Sequence, residues 1–422
     1  MKLPHFLSKL IPGYKVIDLK EWRKHSKIEI YLKKDEEVPQ ECFCPRCGEK
    51  LQQSHGKYRL KLKHLPIFDQ DCFIMLWREK RYCPHCKKVR SEALDFISKD
   101  SPHLSQEYAW WLGRMFEIAS VKQVAKISRN DKSTMHRLDF KRLKRMIQHY
   151  KIPDVTEISV DEVHARSKKT HKKESRERSF FTIVTDVKSR RVVWVSESRT
   201  EDALSEFFLA LGRERCEKIK VVATDQHEAY RSSVKANCPN AVVVWDKFHL
   251  IQNFEVVLNE TRKFLHIRAK SSEEKRLTRG KWRFTFLKKA SKRTPEENKH
   301  IQDVVKDNES FLYLELIKER FFQFFYAKSL GDAYDIFHEV GKWIQEAGFK
   351  DLEKWWSKLE KNWDTLKNYF NFRLTTALSE GTNNVIKMLK RRGFGYRNMP
   401  YFKLKILQVC GFLNSKYVPM EF

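Results

Sequence analysis

Two Cys-x-x-Cys knuckles, Cys44-Pro45-Arg46-Cys47 and Cys83-Pro84-His85-Cys86, constrain the first hundred residues more than any other feature. Each knuckle can turn two thiolates toward one Zn²⁺, and four sulfurs complete a tetrahedral structural site. The chain is therefore expected to fold so that the two knuckles meet. The interval between them holds strand-like text, Tyr58-Arg59-Leu60-Lys61-Leu62-Lys63 and Phe73-Ile74-Met75-Leu76-Trp77-Arg78, which predicts a small ribbon. Cys42, Cys72, His55 and His85 are spare ligands should one knuckle be imperfect, although a partly buried structural role suits each better. The Lys and Arg residues around these strands suit DNA phosphates, and equally a plain solvated face.

Lys and Arg number 84 against 55 acidic residues, a formal charge of +29 spread over all 422 residues. Such an excess points to a polyanionic partner. Aromatic residues at 13% mark the chain as folded rather than a disordered basic arm. The length predicts two to four domains with a real core. No window approaches ~18 consecutive apolar residues, so no membrane-spanning helix is expected. Pro4, Lys9 and Pro12 interrupt the N-terminus before an apolar signal core could form. A cytoplasmic protein is expected, with its nine cysteines as thiols or metal ligands rather than disulfides.

From Leu104 to Ile147 the text is helical. Val121–Ile127 reads as a short amphipathic helix, Ser128–Asp131 as a turn, and Ser133–Leu138 as the start of another helix. This suits a helix-turn-helix, in which Lys132, Ser133, Thr134, His136 and Arg137 face a DNA groove, as well as it suits a plain helical hairpin. Lys141–Lys151 reads as a basic helical linker closed by Pro153.

After Pro153 the pattern turns to strands. Thr156–Val163 alternates and carries Asp161 near its end; Phe180–Thr185 and Arg191–Val195 form a hairpin; a helix follows from Glu201 to about Arg213. A fully apolar strand, Ile219–Thr224, delivers Asp225. A short helix over Ala229–Val234 leads to Ala241–Trp245, which ends at Asp246. The order βββαβαβ predicts an α/β layer fold with a mixed sheet. Far downstream, Leu378–Tyr396 reads as a helix. Offsets of four, seven and eleven from Glu380 place Asn384, Lys387 and Arg391 on its face. Val385, Ile386 and Leu389 are expected to pack inward. Asp161 and Asp225 on neighbouring strands, joined by Glu380 from that helix, can hold two Mg²⁺ or Mn²⁺ ions about 4 Å apart for an in-line phosphoryl displacement. Any one of these acids alone reads as a cap or turn residue.

Ser159-Val160-Asp161-Glu162, Thr224-Asp225, Trp245-Asp246-Lys247-Phe248-His249 and Glu380-Gly381-Thr382-Asn383-Asn384-Val385-Ile386-Lys387 resemble the DDE transposases of bacterial insertion sequences. The paired knuckles ahead of a helix-turn-helix narrow the resemblance to the ISL3 family, over essentially the whole chain. The resemblance implies a zinc-binding N-terminal domain and a ribonuclease-H-like core with Asp161, Asp225 and Glu380 as its triad. It implies double-stranded DNA as partner, both terminal inverted repeats and target, with a homodimer in the active complex and a nucleoid-associated location in a bacterium. The Asp246–His249 block matches the family text. Its residues leave open a positioning role, while a structural one suits them better: Asp246 ending a strand and His249 packing on the next helix.

The long interval between Asp225 and Glu380 reads mostly as helices: Phe311–Tyr326 has an apolar face, and Leu352, Trp355, Trp356, Leu359, Trp363, Leu366 and Phe370 recur at helical spacing. Trp355, Trp356 and Trp363 suit the interval's own core. Trp282, Phe284 and Phe286, set among Lys and Arg, suit either a core or stacking on bases. Beyond the Glu380 helix, Arg391, Arg392 and the glycines up to Gly395 suit a phosphate clamp or a helix C-cap. A final amphipathic helix is expected over Phe402–Leu413. The expected organisation is a zinc ribbon over residues 1–100, the helix-turn-helix and linker over 101–152, the α/β core over 153–255, an all-helical insertion over 256–372, and the rest of the core over 373–422. Two other functions suit the same text: a catalytically inactive, transposase-derived DNA-binding regulator, and a structure-specific nuclease with the same core.

Overall fold

The computed structural model describes residues 11–37, 41–164, 180–197, 201–268, 275, 280, 282–306, 308–374 and 377–418. The chain is mixed α/β and divides into two compact units, Met1–Lys151 with Met388–Phe422, and Ile152–Lys387. Each holds a five-stranded mixed sheet.

In the first unit the strands are β1 (Tyr14–Trp22), β2 (Lys27–Lys34), β3 (Ser54–Ile67), β4 (Gln70–Cys83) and β5 (Lys88–Ser91). They are ordered β1-β2-β4-β3, with β5 also on β4. β2 runs parallel to β4 and the other pairs are antiparallel. Period-2 alternation sends Ile28, Ile30 and Leu32 of β2, Leu60 and Leu62 of β3, and Cys72, Ile74 and Leu76 of β4 to one buried face. The ribbon expected between the knuckles is β3 and β4, both longer than the text suggested. β1 and β2 are additions to that reading. In β1 the alternation is broken by a register shift between Val16 and Asp18, which hides the strand pattern.

Three helices follow: α1 (Gln106–Ile118), α2 (Val121–Ile127) and α3 (Lys132–Gln148). Ser120 and Gln123 form a reciprocal capping box that starts α2. Asp131 caps α3 by accepting from the Thr134 amide at 2.8 Å. The basic stretch read as a separate linker is the last half of α3. It stays helical because Leu143 and Met146 continue the apolar stripe of Met135 and Leu138. The final helix of the chain lies over Met399–Cys410, earlier than expected. Asn398 accepts from the Tyr401 amide at 3.0 Å, and Pro400 sits in the first turn.

That helix and α3 share a buried ionic cluster. Asp139, fully buried, accepts from Tyr401 Oη at 2.6 Å, from Lys405 Nζ at 3.2 Å and from Arg142 Nη2 at 3.2 Å. Burial raises the pKa of such a carboxyl. The charges of Lys405 and Arg142 and the Tyr401 hydroxyl outweigh it and hold Asp139 below the ordinary carboxylate range.

The second unit begins with β6 (Glu157–His164), β7 (Phe180–Asp186) and β8 (Arg191–Ser196), then α4 (Glu201–Leu211), α5 (Arg213–Cys216), β9 (Val221–Thr224), α6 (Glu228–Asn237) and β10 (Val242–Trp245). The expected order of elements is present. The sheet runs β10-β9-β6-β7-β8, antiparallel from β6 to β8 and parallel from β6 through β9 to β10. All four residues of β9 are buried, as an interior parallel strand requires.

A helical array follows: α7 (Lys247–Arg268), α8 (Trp282–Leu287), α9 (Pro295–Lys306), α10 (Glu309–Phe324), α11 (Leu330–Ala347), α12 (Lys350–Lys361), α13 (Trp363–Leu366), α14 (Asn368–Phe372) and α15 (Ala377–Arg392). Trp355, Trp356, Phe321 and Phe337 form its core with Phe254, and Trp363 packs on its margin. The array is joined to the sheet, since Val221, Val244 and Trp245 belong to the same apolar cluster. Asn368 donates to the Val243 carbonyl at 2.9 Å, satisfying an acceptor on the edge strand β10. The run Leu352–Phe370 is carried by three short helices, with breaks at Asn362 and Lys367. A Cβ at Gly341 would lie 2.6 Å from Trp356 Nε1, so any larger residue there requires the indole to move within the core.

Asp139→Ala leaves Lys405 and Arg142 buried without their carboxylate and is expected to cost about 3–5 kcal/mol of unfolding free energy. Because the folded-state pKa of Asp139 is depressed, the difference from wild type should hold at neutral pH. It should close only as pH falls through that depressed pKa, below the usual carboxylate range. Urea denaturation across pH checks both parts.

Candidate active site and metal centre

The four knuckle cysteines converge. Their sulfurs all lie within 4.8 Å of one another, the one such group of three or more His, Cys, Asp or Glu ligand atoms among the described residues. Cys44–Cys86 is 3.9 Å, Cys47–Cys83 3.5 Å and Cys47–Cys86 3.5 Å. A tetrahedron of sulfurs about 2.3 Å from zinc has edges of about 3.8 Å. The donor set thus fits a structural Zn²⁺ in size and chemistry. Burial raises the Cys44 thiol, but the amides of Arg46 and Cys47 and the neighbouring thiols outweigh this and bring it down to about 6. Against the Glu49 amide at Cys47 and the contact of Cys47 with Cys86, burial and the other neighbouring sulfurs raise these two thiols in turn, so Cys44 is the thiolate from which metal capture starts. The spare ligands stand apart from this group. Cys42 donates to Glu92 Oε2 at 3.2 Å, Cys72 lies in the sheet core, and His55 and His85 are exposed.

In the second unit, register organises the acids. Glu157 pairs with Val221 and Ser159 with Ala223, so continuing two residues sets Asp225 opposite Asp161. Thr224 pairs with Trp245, and the Asp246 amide donates to the Thr224 carbonyl at 2.9 Å, so one more step sets Asp246 beside Asp225. Three carboxyl-bearing residues therefore form a row at the carboxyl ends of β9 and β10, where parallel sheets place their ligand sites.

Asp161 is the centre of this site. Its Oδ2 accepts from Asn383 Nδ2 at 2.7 Å, and its Oδ1 accepts from the Glu162 amide at 2.7 Å. His249 Nε2 lies 3.4 Å from Asp161 Oδ1 and 3.6 Å from Asp246 Oδ2. The bond to Asp161 raises the His249 imidazole to about 9, against its burial and with help from the charges of Asp246 and Asp225. Asp246 has both roles left open by its sequence. It ends β10 and caps α7 through the Phe248 amide at 2.7 Å, and it also flanks His249. Asp225 Oδ1 accepts from the His227 amide at 3.0 Å. Glu380 is exposed in the first turn of α15, one turn before Asn383. The three carboxylates Asp161, Asp225 and Glu380 do not close to mutual contact as the four sulfurs do.

On α15, Glu380, Asn384, Lys387 and Arg391 are all exposed along one face. Ile386 is buried and Leu389 half-buried, whereas Val385, expected inside, is 38% exposed. Arg392 donates to the Ile118 carbonyl. The helix ends at Arg392; the Gly393 amide still donates to the Leu389 carbonyl at 3.1 Å, and Phe394 and Gly395 follow at positive φ. A Cβ on Gly393 would meet Tyr396 at 2.8 Å. On α3, Lys132, Ser133 and Arg137 are exposed and Thr134 is half-buried. The His136 ring packs edge-on against Tyr401 at 4.6 Å. Trp282 stacks on His300 at 3.7 Å, Phe286 is buried and Phe284 is exposed.

His249 and Asn383 are the site residues that spacing arguments passed over. His249 stood in the Asp246–His249 text. Asn383 was masked by its neighbour Asn384, which shares the Glu380 stripe while Asn383 turns to the sheet.

The transposase family of the ISL3 DDE type matches residues 158–406. The chain is 23% identical over 380 residues, 90% of each chain, to the transposase for insertion sequence element IS1001 of Bordetella parapertussis. It is 23% identical over 252 residues to the transposase for insertion sequence element IS1557 of Mycobacterium tuberculosis, covering 53% of this chain and 55% of the relative.

One zinc per chain is expected in native mass spectrometry, absent from a Cys44→Ser, Cys83→Ser double variant. Two bound zinc ions, or none, would contradict the four-sulfur centre.

Proposed function

We infer, from the premise that this chain belongs to the ISL3 family of DDE transposases, that its second unit is a ribonuclease-H-like core that cleaves and transfers DNA strands. The observation that carries this reading is the in-register row of Asp161, Asp225 and Asp246, with Asn383 of the Glu380 helix bonded to Asp161.

Asp161, Asp225 and Glu380 are assigned as ligands of Mg²⁺ or Mn²⁺, since carboxylate oxygens beside a phosphate suit hard cations. Bound there, such ions supply Lewis acidity to the attacking and leaving oxygens of an in-line displacement. The chain's own residues prepare the site. Asn383 fixes one Asp161 oxygen and leaves the other facing His249. His249 balances charge within the acidic row, and Asp246 holds its ring. Lys387 and Arg391, on the exposed stripe with Glu380, and Asn384 and Arg392 beside them, are placed to hold phosphates of the strand being cut.

The first unit is assigned to end recognition. Its four-cysteine centre anchors a zinc ribbon, and α2 and α3 serve as a helix-turn-helix that reads the terminal inverted repeats. Lys132, Ser133, Thr134, His136 and Arg137 are assigned to that surface, His136 through the packing of α3. The substrate is double-stranded DNA, element end and target. The working complex is a homodimer, and the location is the nucleoid region of a bacterial cytoplasm.

Strand cleavage on DNA carrying the cognate ends, with Mg²⁺, tests the reading. Asp161→Asn and Asp225→Asn should each lower the rate by at least about a thousandfold while leaving duplex binding intact. Wild-type activity retained by Asp161→Asn would reject the assignment. Joined product distinguishes a transposase from a nuclease of the same core, and no Mg²⁺-dependent product from wild type would favour a DNA-binding regulator.

A further inference from the structure

The outer face of the first unit's sheet has a composition that neither the zinc centre nor the helix-turn-helix reading uses. Alternation that buries Ile28, Ile30 and Leu32 turns Lys27, Glu29 and Tyr31 outward. Pairing places Trp22 and Lys20 of β1 beside Lys27 and Glu29, and Phe73 of β4 beside Glu29 on the other side. Trp77 follows on β4, opposite Arg59 of β3, and Lys61 lies opposite Met75. Four rings, Trp22, Tyr31, Phe73 and Trp77, are thus interleaved with cations on one side of a sheet whose other side is the core.

Each ring carries at least one cation. Lys61 Nζ lies 4.2 Å from the Phe73 centroid, Lys20 5.1 Å and Arg59 5.4 Å from that of Tyr31, Lys27 5.8 Å from that of Trp22, and Lys57 5.8 Å from that of Trp77. The indoles remain open: Trp22 is 47% and Trp77 55% exposed. Leaving two tryptophans in water on a charged sheet face is costly in apolar surface unless something covers them. Glu29, buried at the centre, orients the array. It accepts from Tyr31 Oη at 2.9 Å and Trp22 Nε1 at 3.3 Å, and pairs with Lys27 at 2.5 Å. Trp22 and Tyr31 are therefore held before any ligand arrives, which lowers the ordering cost of binding. The face continues into a cleft of about 420 Å³ between Lys61, Lys63 and Phe73 and the start of α3 at Asn130, Asp131 and Thr134.

We propose that this face is a platform for single-stranded DNA, on which two or three unpaired bases stack while the interleaved lysines and arginine hold the backbone. A duplex hides its base faces inside its own stack, so exposed indoles gain little from it beyond phosphate contact. Unpaired bases present free π-faces, and a sheet bearing aromatic residues among cations is the surface that matches them in shape and charge. The proposal does not depend on the chemistry of the acidic row.

The test uses the full zinc-loaded chain with a labelled single strand of about 20 nucleotides and the blunt duplex of the same sequence, followed by anisotropy. The Trp22→Ala, Trp77→Ala double variant should weaken single-strand binding about a hundredfold and duplex binding no more than about threefold. The Trp22→Phe, Trp77→Phe double variant, which keeps a ring at each position, should stay within about threefold of wild type on both. Single-strand affinity unchanged in the alanine variant, or lost equally with duplex affinity while zinc is retained, would overturn the proposal. So would at least about tenfold tighter binding of the corresponding RNA. Should the alanine variant lose zinc, wild-type protein decides: a 5-bromouracil-substituted strand should crosslink to peptides carrying Trp22 or Trp77, and crosslinks confined to other peptides would overturn it.

Discussion

The parallel pairing of β9 with β6 is the constraint on which the second unit's acidic row depends. One residue of slip would turn Asp225 to the other face of the sheet, because side chains alternate with period two. The register is secured by burial. Val221, Val222, Ala223 and Thr224 are all enclosed, and a slip in either direction would draw the exposed Lys220 or the half-buried Asp225 into that enclosed stretch. The same pairing carried one strand further brings Asp246 into line, and the turn into α7 delivers His249 to the row. An acidic site is thus assembled from segments far apart in sequence, by strand pairing and by the side chains of His249 and Asn383 that meet Asp161.

Two clusters of buried charge elsewhere among the described residues keep each ion beside a counter-ion. In the first unit Asp139 answers Lys405 and Arg142. In the second, Lys318 is wholly buried yet donates to the Phe286 carbonyl at 3.0 Å, the Lys288 carbonyl at 2.8 Å and Glu315 at 2.8 Å, while Arg293 holds the same carboxylate group at 2.6 Å. Such clusters add little net stability compared with apolar packing of equal volume, but removing any one member strands the rest. They bind segments to one another specifically, as Lys405 does when it joins the chain's last helix to the Phe116 carbonyl at 2.7 Å.

The molecule's strong positive charge is organised differently on each surface. Along α15 it follows a helical stripe behind a single carboxylate, an arrangement suited to phosphates. On the β1–β4 sheet it is interleaved with rings and pinned by one buried glutamate, an arrangement suited to stacking. Net charge alone predicts a polyanion; only the geometry of the side chains around each cation separates these two kinds of contact.

Local pattern was enough for much of this protein. The knuckles announced their meeting because thiolate pairs at that spacing have few other uses, and Asp161, Asp225 and Asp246 were legible as strand-end acids because continuous apolar runs preceded the last two. The exposed face of Glu380, Asn384, Lys387 and Arg391 was legible because helical spacing is periodic. Tertiary structure decided what periodicity does not encode. It decided that Asn383 rather than Asn384 meets Asp161, that His249 joins the acidic row, that His136 packs on Tyr401, and that β1 and β2 complete a sheet whose outer face gathers rings from three strands. Each of these depends on which distant segment lies alongside. That is set by register and core packing summed over the whole unit, and no short window of residues contains it.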